Sequence, residues 1–351
     1  MRVDFLPPFL LILVMLAAGC GPAEKKPAAL TPDAPQLKAF APLPAVMESA
    51  ANPLTEEKIK LGRILYYDPR LSKGHDLSCN SCHLLDQYGV DGKPTSDGHR
   101  GKRGDRNSPT VYNAGGHIAQ FWDGRAADLE EQAKGPILNP VEMAMPDEKY
   151  VLGVLKSMPE YVELFKAAFP GESDPVTYDN VAKAIGAFER KLVTPSRWDK
   201  FVQGDAAALT EAELAGLQEF LSAGCQTCHM GPYVGGSLFQ KLGVLKPWPD
   251  QSDTGRHRVT GSETDRMMFK VPSLRNIAKT GPYFHDGKTA SLEEAVGLMA
   301  EYELGKQLSP EQVSAIVTFL NALTGEIPTD YIAKPELPPS SSKTPKPDLS
   351  D

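Results

Sequence analysis

The pentapeptide Cys-x-x-Cys-His occurs twice in this chain of 351 residues, at positions 79–83 and 225–229. Two cysteines with this spacing reach the two vinyl groups of one porphyrin, and the histidine that follows can bind the iron. The pattern therefore predicts two covalent c-type haems with His83 and His229 as proximal iron ligands. The attached cysteines would be Cys79, Cys82, Cys225 and Cys228. The alternative is a pair of zinc-binding or redox Cys-x-x-Cys motifs, which need no histidine after the second cysteine.

Composition limits the fold and the possible partners. Hydrophobic residues make up 41% of the chain, which is enough for a core, while 31 prolines and 30 glycines imply long irregular segments. With two haems to enclose, we expect a mainly α protein with two cytochrome c-like haem domains and long loops. The net charge of −8 leaves no basic footprint for nucleic acid, and it favours a basic redox partner.

The N-terminus predicts export. An apolar run over residues 9–18 is too short to span a membrane and indicates a signal peptide at residues 1–19. The sequence LAAGC at positions 16–20 resembles a bacterial lipobox, which predicts lipidation of Cys20, the one cysteine outside the haem motifs. The alternative is ordinary cleavage nearby, with Cys20 as a free thiol. Both interpretations place the protein outside the cytoplasm.

Between the ends we expect two domains. The sequence predicts an N-terminal haem domain over residues 46–200 and a C-terminal haem domain over residues 201–333. It also predicts a flexible tether over residues 20–45 and a disordered tail over residues 334–351. Each motif is preceded by a capped helix, which suggests an ancient duplication, and no long strand pattern is present. Helix starts are expected after Thr55, Thr177, Thr210, Ser291 and Ser309, the last three with capping boxes.

The remaining iron ligands are left open by residue patterns alone. His99 lies in a glycine-flanked loop over residues 91–104, so it is either a movable ligand or a solvated loop histidine. Met299 lies on the apolar stripe of a capped helix, where a methionine usually fills a core and can also bind iron.

Six further stretches carry a specific resemblance. They are AQFWDGRA at 119–126, QAKGP at 132–136, NPVEM at 139–143, FKVPSLRN at 269–276, GPYFHDG at 281–287 and LMAEYELG at 298–305. Over residues 50–330 the chain resembles the bacterial di-haem cytochrome c peroxidases. The resemblance implies reduction of hydrogen peroxide to water with electrons from a small cytochrome c or a cupredoxin, after activation by reduction of the C-terminal haem. It also implies a homodimer. The predicted signal peptide and lipobox imply a periplasmic location, with the lipid as the only membrane contact.

The resemblance assigns roles to individual residues. His99 matches the displaceable ligand of the N-terminal, low-potential haem, and Met299 matches the distal ligand of the C-terminal, high-potential haem. Trp122 matches the aromatic residue between the haems, where plain packing is the alternative role. Glu142 and Gln132 match the peroxide pocket, and the alternative for Glu142 is a surface glutamate that caps a helix.

Further matches concern a cation and the second haem. Asn107, Thr280 and Pro282 match ligands of a calcium ion between the domains, the last two through carbonyl oxygens. His285 matches a histidine beside the second haem that is not a ligand.

Two other functions stay open at this point. One is a related di-haem enzyme that oxidises a partner protein to mature its cofactor, in which a tyrosine takes the place of Met299; Tyr302 lies one turn away. The other is a tethered di-haem electron carrier, in which both irons stay six-coordinate.

Overall fold

The computed structural model describes residues 1–3 and 30–350, and this part of the chain is mainly helical. Its α-helices are α1 Glu56–Tyr67, α2 Cys79–Cys82, α3 Leu129–Leu138, α4 Glu148–Lys156, α5 Pro159–Ala168, α6 Tyr178–Glu189, α7 Arg197–Val202, α8 Glu211–Ala223, α9 His257–Thr260, α10 Leu292–Leu304 and α11 Pro310–Asn321. Two three-residue strands, β1 Phe239–Lys241 and β2 Met268–Lys270, form an antiparallel pair. Three residues are too few to show an alternating pattern in the sequence. Among the described residues no helix is both long and apolar enough to cross a membrane.

The first core is built around α1 and α6, with α3, α4 and α5 packed beside them. Its centre is fully buried, with Leu65 and Phe188 both at 0% exposure. The helices approach closely at Gly62, where an added Cβ would meet the Ala184 carbonyl oxygen at 1.8 Å. Cys79 of the first haem motif packs against this core.

The second core is built around α8 and α11, with residues of α7 and α10. Here Gly216 marks the close approach, because an added Cβ would meet the Ala315 carbonyl oxygen at 2.0 Å. Cys225 of the second haem motif packs against this core. In both cores, therefore, the helix before the haem motif crosses a later helix at a glycine, which supports the predicted duplication.

The predicted helix starts are all observed, because N-caps act through their immediate neighbours. Each predicted cap side chain accepts a hydrogen bond from the backbone N–H three residues further on. Thr210 and Ser309 also form complete capping boxes. At Ser291 only the bond from the Glu294 N–H is present, so that predicted box is half formed.

The segment expected to be a tether packs on the second core over its described part. Residues 35–39 form a short 3-10 helix, and Leu37 is buried. The Phe40 ring meets Trp198 edge-on at a centroid distance of 5.3 Å. Trp198 itself belongs to the second core, so the chain passes into that core before the predicted boundary at residue 200.

The C-terminal segment returns to the first core. Ile332 is buried there and Leu337 packs against it, whereas residues up to 333 were expected in the C-terminal domain and 334–351 as a disordered tail. Instead, Ser341 Oγ donates to the Ser157 carbonyl oxygen at 2.7 Å, and Ser157 Oγ donates to Thr344 Oγ1 at 2.9 Å. These contacts order the segment because they satisfy its polar groups against a helical domain. The predicted signal peptide, apart from residues 1–3, and Cys20 lie outside the described residues.

Candidate active site

The first haem motif forms the short helix α2 and presents His83 just after it. The His83 N–H donates to the Cys79 carbonyl oxygen at 3.0 Å, which closes the helical turn. Ring atom Nδ1 lies 3.3 Å from the Gly89 carbonyl oxygen. Because a carbonyl can only accept, Nδ1 carries the proton and Nε2 keeps a free lone pair. Burial also lowers the pKa of His83, so the ring is neutral and suited to bind iron.

A cavity opens beside this motif. It is lined by Cys79, Cys82 and His83 together with the predicted pocket residues. The latter are Gln132 from α3, Glu142 from the loop that follows α3, and Trp122. The cavity thus unites the first motif with three residues that lie far from it in sequence.

Glu142 is a partly buried carboxyl in the wall of this cavity. Burial raises its pKa, while the positive charge of Arg125 and a hydrogen bond from Asn139 partly offset the rise. Asn139 Nδ2 donates to Glu142 Oε1 at 3.0 Å and fixes the carboxyl. The alternative role as a surface helix cap does not fit this position. A carboxyl held in place at the cavity wall, with a pKa above its usual range, is suited to accept a proton from a bound molecule.

His99 is buried, with 1% exposure, so the alternative of a solvated loop histidine is wrong. Its ring atom Nε2 lies 3.2 Å from the carbonyl oxygen of Ser350, near the end of the chain. Its neighbour Gly98 lines the cavity, and an added Cβ at Gly98 would meet the Val141 carbonyl oxygen at 1.9 Å. The backbone of the loop therefore lies against the cavity wall while the ring contacts the C-terminal segment.

Trp122 reaches from the first cavity to a small cluster near Met299. Its Nε1–H donates to the Asn107 carbonyl oxygen at 2.9 Å, and its backbone carbonyl accepts from the Lys270 N–H at 2.8 Å. The indole also packs against the cluster formed by Trp248, Met267 and Phe269. The Trp122 side chain thus contacts both the first cavity and this cluster.

The second motif has matching local geometry. The His229 N–H donates to the Cys225 carbonyl oxygen at 3.0 Å. Burial lowers the pKa of His229 to about 4, which leaves the ring neutral. Gln240 Nε2 lies 4.0 Å from Cys228 Sγ and brings β1 next to the motif.

Met299 lies on α10 and packs, partly buried, against the cluster that also contacts Trp122. The ring of neighbouring Tyr302 packs edge-on against Trp248 at a centroid distance of 5.1 Å, and Lys246 Nζ lies 4.8 Å from the centroid of the Tyr302 ring. His285 lies close by, stacked on Phe269 at 4.4 Å.

The residues predicted for calcium lie near one cleft. Asn107 is buried, and its Nδ2 donates to the Lys93 carbonyl oxygen at 2.9 Å. Pro94 and Pro282 both line the cleft, and Thr280 precedes Pro282 by two residues. The structure therefore brings the three predicted residues into one neighbourhood.

Several charged residues at the site had no predicted role. Arg106 lines the first cavity and bonds Asp123 and Asp253, with both closest N–O distances at 2.6 Å. The Nζ of buried Lys270 lies 3.1 Å from His117 Nδ1. Asp253 lies 147 residues from Arg106, and His117 lies 153 residues from Lys270, so no local sequence pattern marks either of these two pairings.

The donor sets fit c-type haem. Both histidines are neutral, both stand directly after two cysteines, and all four motif cysteines are unpaired among the described residues. The first motif also borders a cavity, as an enclosed porphyrin requires.

Comparisons with known proteins agree with this site. Residues 56–207 match the family described as di-haem cytochrome c peroxidase. The chain is 50% identical over 299 residues to a cytochrome c551 peroxidase of Nitrosomonas europaea, covering 85% of this chain and 88% of that protein. It is 46% identical over 315 residues to a cytochrome c551 peroxidase of Pseudomonas aeruginosa, covering 88% and 90%. A solved MauG-like protein associated with microbial copper homeostasis superimposes with a TM-score of 0.71 and 31% identity, covering 84% of this chain and 95% of that one. The chain therefore belongs to the di-haem cytochrome c peroxidase family and is an oxidoreductase that acts on peroxide.

Proposed function

We propose that peroxide is reduced to two waters in the cavity beside the first motif, with the second motif as the entry point for electrons. The observation that carries this proposal is the cavity itself, which joins His83 to Gln132 and Glu142. A haem at each motif supplies iron-centred redox chemistry when bound.

Glu142 is the proton carrier in this proposal. It accepts a proton from one peroxide oxygen and delivers it to the other, which leaves as water. The raised pKa makes the carboxylate a stronger base for the first half of this transfer, and the bond from Asn139 holds the carboxyl in place. Gln132 orients peroxide through its amide, which can donate and accept.

Trp122 and Met299 serve electron transfer. The Trp122 indole contacts both the first cavity and the Met299 cluster, so it is placed to couple the two sites. A thioether ligand stabilises reduced iron, so Met299 would give a haem bound at the second motif a high potential. A haem there could then be reduced while one at the first motif remained oxidised.

His99 is the displaceable ligand. Its ring lies on Ser350 and outside the cavity lining, which supports a state in which the first site is open. In the inactive state the His99 ring occupies the first site. Reduction of the second site triggers its release.

Calcium and partners complete the proposal. A calcium ion near Asn107, Thr280 and Pro282 would brace the segment that also holds Trp122, through the Asn107 carbonyl. The donor is a small cytochrome c or a cupredoxin, and the net charge of −8 favours one with a basic surface. The protein acts as a homodimer in the periplasm, anchored by a lipid on Cys20.

Steady-state turnover tests the function. The holo-protein is mixed with a reduced small cytochrome c, and hydrogen peroxide is added. We expect two donor molecules oxidised for each peroxide consumed, because two electrons and two protons convert one peroxide to two waters. Donor oxidation that stops once the two haems are reduced, with no peroxide consumed, would instead indicate an electron carrier.

A further inference from the structure

The last part of the chain forms a strap, residues 334–350, that runs over the first core to the His99 loop. Leu337 packs against that core. Arg70 Nη1 donates to Ser340 Oγ at 3.0 Å, and Ser341 and Thr344 bond to Ser157. The strap is thus fixed along its length by contacts that lie away from the cavity.

The tip of the strap meets the His99 loop directly. His99 Nε2 lies 3.2 Å from the Ser350 carbonyl oxygen, and the Arg100 guanidinium donates to the Leu349 carbonyl oxygen. A ring nitrogen that donates to a carbonyl carries a proton, and its lone pair is then unavailable to iron. The Ser350 bond and iron ligation through Nε2 therefore exclude each other.

Lys73 connects the tip to the cavity wall. Its Nζ donates to the Ser350 carbonyl oxygen at 3.0 Å, and its backbone carbonyl accepts from the Asp348 N–H at 2.9 Å. On the other side, the Lys73 N–H donates to the Met143 carbonyl oxygen at 2.8 Å, directly after Glu142. The His99 N–H donates to the Glu142 carbonyl oxygen at 2.7 Å. Strap, loop and peroxide-pocket segment thus share one hydrogen-bond network.

We propose that the tip of the strap, residues 348–350, is the seat that receives His99 when the ring leaves the iron. The tip of the strap then raises the fraction of molecules in which the first site is open. It does so because it stabilises the released loop and has no such contact with a ring bound to iron. This inference rests on the proposed role of His99 as the displaceable ligand.

The test uses a holo-protein that lacks residues 348–351 and therefore keeps the anchors at Leu337, Ser341 and Thr344. In the half-reduced state, azide affinity measures how open the first site is, and electron paramagnetic resonance measures its low-spin fraction. A single hydrogen bond contributes roughly 2- to 12-fold to such an equilibrium. With His99 and Arg100 both released, we expect azide affinity to fall roughly tenfold and the low-spin fraction to rise.

Two further variants test the proposed role of the strap. The double substitution S341A/T344V loosens the strap from Ser157, and it should lower azide affinity and raise the low-spin fraction, as truncation does. If the truncated chain does not fold, this double variant tests the proposal in its place. Lys346→Gln changes an exposed strap residue outside these contacts and should match the wild type.

His99→Gly separates the two proposals. If it opens the first site in the oxidised protein while truncation and S341A/T344V leave azide affinity within twofold of wild type, the strap inference is wrong and the gate stands. If His99→Gly changes neither azide binding nor the low-spin signal, His99 is not the displaceable ligand and both proposals fall.

Discussion

Replacing Glu142 with glutamine isolates the proton-transfer step. Asn139 Nδ2 donates to Glu142 Oε1 at 3.0 Å, and the amide oxygen of glutamine can accept the same bond. Size and position are therefore kept, while the exchangeable carboxyl proton is lost. Positioned acid–base groups contribute roughly 10²- to 10⁴-fold to rate. We expect kcat/KM for peroxide to fall about 10²- to 10³-fold, or ~3–4 kcal/mol of transition-state stabilisation.

The pH profile gives an independent check on the same residue. Burial raises the pKa of Glu142 above its usual 4.5. The carboxyl must be ionised to accept a proton, so wild-type kcat/KM should fall on acidification through a pKa above 4.5. Glu142→Gln should lack this acid limb.

The assay is steady-state peroxide turnover with a reduced cytochrome donor from acidic to neutral pH, with haem spectra to confirm loading. Glu131→Gln is the matched control, because Glu131 lies in the first turn of α3, is exposed and pairs with Lys134 at the surface, away from the cavity lining. Near-wild-type turnover in Glu142→Gln would refute the assigned role, as would an equal loss in the control.

Three further results are expected. Met299→His should lower the potential of the second haem by on the order of 0.1 V in a redox titration, and an unchanged potential would exclude Met299 as a ligand. Gly62→Ala should destabilise the protein by ~1–3 kcal/mol in thermal unfolding, because the Ala184 carbonyl occupies the space of the added Cβ. Gly153 also lies inside a helix but has open space around it, so Gly153→Ala should stabilise the protein by up to ~1 kcal/mol. Equal changes in stability for the two variants would contradict the packing argument. Chelation of calcium should slow peroxide turnover, with recovery on adding calcium back, and turnover indifferent to chelator would exclude a functional ion at Asn107.

Local features of this protein could be predicted from the sequence. The helix caps at Thr55 and Ser309 depend on residues within one turn, so residue type and spacing suffice to predict them. The Cys-x-x-Cys-His motifs are equally local, and both fold into a helical turn that positions the histidine. The haem motifs and the capped helix starts, without a long strand pattern, predicted the mainly helical class.

Features that depend on partners far away in the chain could not be predicted from the sequence. The strap is rich in proline and serine and has no periodicity, and its order depends on Ser157 and Arg70, which lie far away in sequence. For the same reason the burial of His99 could not be predicted: its loop has few apolar residues, and its cover comes from the other end of the chain. The cavity residues Glu142 and Gln132 were found through family resemblance, because nothing in their own neighbourhood marks a shared wall.

Stopped-flow mixing of hydrogen peroxide with the holo-protein, with calcium present, tests the central claim most directly. The reaction is followed before and after the addition of one electron per molecule. The account predicts a slow reaction in the oxidised protein and a fast one after half-reduction, since His99 must leave the first site. Equally fast reaction in both states would contradict the gate, and no reaction in either state would contradict the proposed peroxide site.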